Sequence, residues 1–196
     1  MAERPVNVLF LCTHNSARSI LAEATLNHIG KGRFQAFSAG SSPRDNQQPN
    51  PLALQVLQNA GIPTDGLYSK SWDEFGKPDS RARRAGPPQA SAAPSGGSAL
   101  HEVKSVGAVP LMDLVITVCD NAAGEVCPYW PGQPATAHWG YADPSEVEGD
   151  EAKKLEAFRQ TLLAIRRRLD LLINLPPEKL ERAMVQQAAR DLAHQA

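Results

Sequence analysis

The chain has 196 residues, with 20 Lys and Arg against 21 Asp and Glu and a formal net charge of -1. That length is enough for one α/β core and little more. The charge balance lacks the basic stripe that nucleic-acid binding needs, and no apolar run approaches the length of a membrane span.

The first predicted strand is the apolar run Val6 to Leu11, and a helix is predicted from about Ser19 to Ile29, ending at Gly30. Between them lies Cys12-Thr13-His14-Asn15-Ser16-Ala17-Arg18-Ser19, a Cys and an Arg five residues apart followed by a Ser. A loop between a buried strand and a helix gathers backbone N-H groups at the positive end of the helix dipole, which suits a tetrahedral oxyanion. Arg18 adds a planar fork of donors for two oxyanion oxygens. In such a pocket Cys12 is expected to have a pKa well below the roughly 8.5 of a free thiol and to act as a thiolate nucleophile. Ser19 can donate its hydroxyl to that thiolate, and Asn15 is expected to brace the loop by bonding its backbone. The bland alternative is a small buried Cys at a strand end; the flanking strand and helix favour the functional one.

A second strand, Arg33 to Ala39, precedes a polar loop through Asn50. Asn50-Pro51 opens a helix that stops at Gly61, with cap, first-position proline and terminal glycine in place. Ser71-Trp72-Asp73-Glu74 reads as a capping box before a short helix. Residues 77 to 110 are rich in Pro, Gly, Ser and Ala, contain no aromatic residue and carry Arg81-Ala82-Arg83-Arg84. They are expected to form a disordered insertion.

The β-branched run Leu114-Val115-Ile116-Thr117-Val118 is a predicted buried parallel strand, so Cys119 at its end should lie at the same sheet edge as Cys12. Cys127 follows Cys119 after seven residues, a spacing that allows the two sulfurs to meet. Structural zinc pairs sit closer in sequence, and only His138 offers a further ligand, so no metal is expected. An activated thiol with two more near it suggests a thiol-disulfide relay; two inert core cysteines are the alternative. Reactive cysteines favour a reducing compartment, the cytoplasm. Thr136 to Trp139 makes a fourth strand. Asp143-Pro144-Ser145-Glu146 is a good helix start in its own right. The helix from about Gly149 to Asn174 spaces Leu155, Phe158, Leu162, Ile165, Leu169 and Leu172 by threes and fours, one face for packing on the sheet. The strand and helix order argues a single-domain α/β fold over residues 1 to 176, a doubly wound parallel sheet of four strands flanked by helices. Residues 177 to 196 read as a C-terminal helical extension.

Taken together, Val8 to Ser19, Ser38-Ala39-Gly40, Thr117-Val118-Cys119-Asp120, Cys127-Pro128, Ala137-His138-Trp139-Gly140 and Asp143-Pro144 resemble the arsenate reductases built on the low-molecular-weight tyrosine phosphatase fold. The resemblance implies reduction of arsenate to arsenite through a thiol-arsenic adduct. Cys12 would attack arsenic while Arg18 and the loop residues Thr13, His14, Asn15, Ser16, Ala17 and Ser19 bind the oxygens, and Asp143 would protonate the departing hydroxide. Cys119 would then attack Cys12 and Cys127 would attack Cys119. The last disulfide would pass to an external thiol reductant, thioredoxin or glutathione with glutaredoxin, with no bound cofactor. His138 and Trp139 would be wall residues beneath the loop. Glu23 and Ser38 match positions that help form a potassium site in some relatives, although a Glu on a helix face is ordinarily solvated. The chain departs from the family pattern at His14, where glycine is common, and at Ala17, where many members carry a second loop cysteine. Two other functions compete: a low-molecular-weight tyrosine phosphatase, which needs neither Cys119 nor Cys127, and a non-catalytic arsenite or redox sensor.

Overall fold

Strand β1, Val6–Cys12, is buried along almost its whole length. Its side chains divide by the two-residue period of a strand: Val8, Phe10 and Cys12 enter one core, Leu9 and Leu11 a second on the opposite face. A run apolar at every position from Val8 to Cys12, rather than at alternate ones, is what a strand covered on both faces requires. The structure is a computed structural model, and it describes residues 4–43, 45–46, 48–76, 110–119 and 134–176. The expected disordered insertion, Cys127 and the C-terminal helical extension lie outside the described residues, apart from Pro110 at the insertion's end.

Strands β2 (Phe34–Gly40), β3 (Leu114–Thr117) and β4 (Ala135–His138) complete a four-stranded parallel sheet of order β2-β1-β3-β4. The chain leaves β1 for β2 on one side and returns to β3 on the other, so the strand order reverses between β1 and β3. Open α/β sheets bind their ligands at the carboxyl edge of such a point. Leu11 pairs with Thr117 across it, which puts Cys12 and Cys119, each at the end of its strand, on that edge.

Three helices cover the larger core: α1 (Arg18–Ile29), α2 (Pro51–Asn59) and, later in the chain, a long helix over Glu151–Ile173. The α2 start is as expected, with Asn50 Oδ1 accepting from Leu52 N at 2.9 Å. Gly61, at φ +70° where a side chain would be strained, turns the chain out of the helix. The short helix expected after Ser71 is α3 (Asp73–Gly76). Ser71 Oγ does accept from Asp73 N, at 3.2 Å, but Glu74 sits 3.4 Å from the Tyr68 hydroxyl and does not close the box. The long helix, α4, is capped by Asp150, whose Oδ1 accepts from Lys153 N at 2.8 Å. It buries Phe158, Leu162, Ile165, Leu169 and Leu172 on α1 and α2, each contributing roughly 1.5 to 3 kcal/mol. Arg168 is buried on the same helix, with its guanidinium 4.8 Å from the Tyr141 ring. Before α4, Asp143 starts only a single 3-10 turn, Pro144–Glu146.

Candidate active site

β1 runs straight into the loop. Cys12 is its last residue, and α1 starts at Arg18 with no side-chain cap from Ala17, which leaves first-turn amides for a ligand. Three loop carbonyls are held from outside: Thr13 O by Ser42 N at 2.9 Å, Ser16 O by Asn50 N at 2.8 Å and Asn15 O by Ser69 Oγ at 2.6 Å. Carbonyls facing an anion would repel it, so holding them elsewhere suits the loop to its charge. Gly40, at the end of β2, packs directly against this turn. A Cβ there would stand 2.5 Å from Thr13 O and 2.9 Å from Asn15 N, so only glycine lets β2 end so close to the loop.

Asn15 takes the left-handed conformation, φ 48°, which Asn tolerates better than most residues. Its side chain ties the loop to neighbouring elements and not, as expected, to the loop's own backbone. Oδ1 accepts from Lys70 N at 2.8 Å, and Nδ2 donates to Ser19 Oγ and Ser38 Oγ, both at 2.8 Å. Ser38 Oγ donates to Glu23 Oε2. Glu23 is not the solvated helix-face residue expected; it is buried, and burial raises its pKa against the opposing pull of Lys70 and Ser38.

The Lys70 ammonium donates to Glu23 Oε2 at 3.2 Å, to Ser38 Oγ at 3.4 Å and to the Tyr68 carbonyl at 3.1 Å. A potassium ion held by Glu23 and Ser38 would meet that ammonium at contact distance, a strong repulsion away from water. These residues therefore do not fit a potassium ion. Among the described residues no group of three or more His, Cys, Asp or Glu could hold a metal.

The two described thiols adjoin. Cys12 Sγ lies 3.1 Å from Ser19 Oγ, and Cys119, buried beyond β3, has its Sγ 3.6 Å from Thr13 Oγ1. The neighbouring Cys119 thiol and burial push the Cys12 thiol well above its ordinary pKa, while Ser19 pulls it down. This corrects the expectation of a depressed pKa. The loop's positive environment is opposed by a second thiol and by burial.

Arg18 is engaged on the segment after β4. Its Nη2 donates to Asp143 Oδ2 at 2.7 Å and its Nη1 to the Tyr141 carbonyl at 2.8 Å. Asp143 Oδ1 accepts from Ser145 N at 2.9 Å and from Ser145 Oγ at 2.6 Å, so the helix-start and site readings of this carboxylate hold together. Arg168 props the segment from below through the Tyr141 ring, and burial pushes the Tyr141 phenol up to about 12. Trp139 is a core residue, 6.4 Å from Phe10 between ring centres. His138 is no wall beneath the loop; it is exposed on β4, with Nδ1 2.8 Å from Thr117 Oγ1. His14 is exposed at the loop, whereas Asn15, Ser16, Ala17 and Ser19 are buried. Ser69, Lys70 and Arg168 were missed by the sequence reading, since none belongs to a local motif.

A strand, an oxyanion-type loop and a helix at the switch point of a four-stranded parallel sheet, with an Asp-Pro turn opposite, define the low-molecular-weight phosphotyrosine phosphatase class of fold. The family model described as low molecular weight phosphotyrosine protein phosphatase matches residues 7–78. The chain is similar to the arsenate reductase of Bacillus licheniformis, at 30% identity over 154 residues covering 78% of this chain and 84% of that protein. It is also similar to the arsenate reductase of Halalkalibacterium halodurans, at 27% identity over 162 residues covering 83% and 91%. In fold it resembles the crystal structure of arsenate reductase from Archaeoglobus fulgidus, with TM-score 0.55, 21% identity and coverage of 86% of this chain and 99% of that one. It likewise resembles a low-molecular-weight phosphotyrosine phosphatase from Vibrio cholerae, with TM-score 0.53, 20% identity and coverage of 82% and 90%. The chain belongs to the arsenate reductase family of this fold.

Proposed function

We propose that this protein reduces arsenate to arsenite in the cytoplasm through a relay of Cys12, Cys119 and Cys127. The observation that carries this reading is Cys119, a second buried thiol at the same sheet edge as Cys12, with its Sγ 3.6 Å from Thr13 Oγ1 of the loop. A phosphatase has no use for a second thiol against its nucleophile, and a non-catalytic sensor has no use for Arg18 and Asp143 poised beside the same loop. Membership of the arsenate reductase family supports the same choice.

Arsenate entering the loop competes with Asp143 for the Arg18 guanidinium, which can hold two of its oxygens at once. Asp143, released as a carboxylate, takes up the proton of the Cys12 thiol and then serves as the general acid. The Cys12 thiolate bonds to arsenic and a hydroxide departs, protonated by Asp143 to water. Cys119 then attacks Cys12 Sγ. A sulfur-sulfur bond forms, the sulfur-arsenic bond breaks with its electron pair left on arsenic, and As(V) leaves as As(III). Cys127 attacks Cys119, restoring the Cys12 thiolate, and an external dithiol reduces the Cys119-Cys127 disulfide. Thioredoxin, or glutathione with glutaredoxin, supplies those electrons. No described helix is long and apolar enough to cross a membrane.

The test is arsenate-dependent NADPH oxidation, run with thioredoxin and its reductase and then with glutathione, glutaredoxin and glutathione reductase. Turnover in one of the two systems is expected; no turnover in either overturns the assignment.

A further inference from the structure

The ion pair of Lys70 and Glu23 takes no part in the steps above, yet both residues are buried, 5% and 8% exposed. Their position beneath the loop determines which way a chain of hydrogen bonds runs. Ser38 has one hydroxyl proton and donates it to Glu23, so toward Asn15 it can only accept. The Asn15 amide cannot flip, because its oxygen accepts from Lys70 N and its nitrogen must then face Ser38 and Ser19. Ser19 Oγ accepts from that nitrogen, which leaves its single proton for Cys12 Sγ, 3.1 Å away. The Lys70 ammonium favours the charged form of Glu23 at the far end, against its burial, and its bonds to a carboxylate, a hydroxyl and a carbonyl, with the Tyr68 ring 4.5 Å away, are those a dissolved monovalent cation would seek.

We propose that Lys70 is a positioning residue, a built-in monovalent cation that holds the Glu23-Ser38-Asn15-Ser19 chain in the direction that turns the Ser19 hydroxyl toward the Cys12 sulfur. The proposal rests on the reading of Cys12 as the nucleophile. It makes the protein indifferent to potassium, and it makes a truncated Lys70 dependent on it, because the vacated space keeps the carboxylate, hydroxyl and carbonyl that a cation needs.

The test compares full-length Lys70→Ala and Lys70→Met with the unmutated protein in potassium chloride and in choline chloride of equal ionic strength. The rate of Cys12 alkylation by iodoacetamide near neutral pH is followed by peptide mass spectrometry. Lys70→Ala is expected to react about ten- to a hundredfold more slowly in choline chloride, as loss of a charge-assisted hydrogen bond implies, and to recover in potassium chloride. Lys70→Met, which fills the space without charge, stays slow in both salts, and the unmutated protein reacts alike in both. A normal rate for Lys70→Ala in choline chloride, or a failure of potassium to separate the Ala from the Met variant, overturns the proposal. Should Lys70→Ala not fold, the neutral double variant Glu23→Gln with Lys70→Met replaces it; slow alkylation there supports the proposal and a normal rate overturns it. Alkylation needs no arsenate, so an unmutated protein that failed to reduce arsenate would refute the proposed function without deciding this test.

Discussion

The loop of Cys12 and the turn of Asp143 face each other across the same sheet edge but are held in different ways. The loop is fastened on every side: its carbonyls by Ser42, Asn50 and Ser69, its Asn15 by Lys70, Ser38 and Ser19, and its back by Gly40. The turn reaches the loop through the Arg18 guanidinium, bound to Asp143 and to the Tyr141 carbonyl, in a pair whose side chains are 13% and 20% exposed. An oxyanion can take over both guanidinium bonds as Asp143 lets go, so the pair is exchanged and not simply lost. In the proposed reaction the many-sided bracing falls where an oxyanion's geometry has to be matched, and the single exchangeable link where a charged partner is handed over.

The largest effect is expected from the loop's nucleophile. Cys12→Ser should lower arsenate reduction by about 10⁴-fold or more, and remove any hydrolysis of a small aryl phosphate, because an alcohol cannot supply the thiolate. Steady-state assays of both reactions check this, and appreciable turnover in either would remove Cys12 from its role.

Changes on the two sides should then differ in kind. Asp143→Asn should reduce kcat by about 10²-fold, the usual share of a general acid, while phosphate binds as well as before or more tightly, since Arg18 has lost a competing anion. Gly40→Ala should do the reverse. Its Cβ has no room against Thr13 and Asn15, so phosphate affinity should fall by about tenfold and stability by roughly 1 to 3 kcal/mol. Calorimetric phosphate titration and thermal melts distinguish the two. Weaker phosphate binding in Asp143→Asn would mean that the turn is part of the rigid site and not an exchangeable partner.

Much of this contrast follows how local the signals are. β1, the loop and α1 were readable within a residue or so because an unbroken apolar run, a C-x5-R loop and a helix lie next to one another in the chain. Cys119 was placed on the right edge because parallel strands end together. Lys70 was not legible: it reaches the site only because its backbone pairs with Gly40 at the end of β2, its carbonyl accepting from Gly40 N at 2.8 Å. The burial of Glu23 was hidden for the same reason, since the charge that balances it lies 47 positions away in sequence. The raised pKa of Cys12 also depends on a distant partner, the thiol of Cys119. The Asp143 turn was half legible, its cap being local and its bond to Arg18 not.

In the proposed relay it is Cys119 that converts an oxyanion-binding nucleophile into a reductase, and Cys119→Ser is the decisive variant. With arsenate and either reductant system, the variant should bind phosphate and slowly hydrolyse a small aryl phosphate yet fail to sustain arsenate reduction. Mass spectrometry of protein exposed to arsenate without reductant should find a Cys119-Cys127 disulfide in the unmutated chain and none in the variant. Sustained arsenate turnover by Cys119→Ser would contradict the relay and leave reduction to direct attack by an external thiol on the Cys12 adduct.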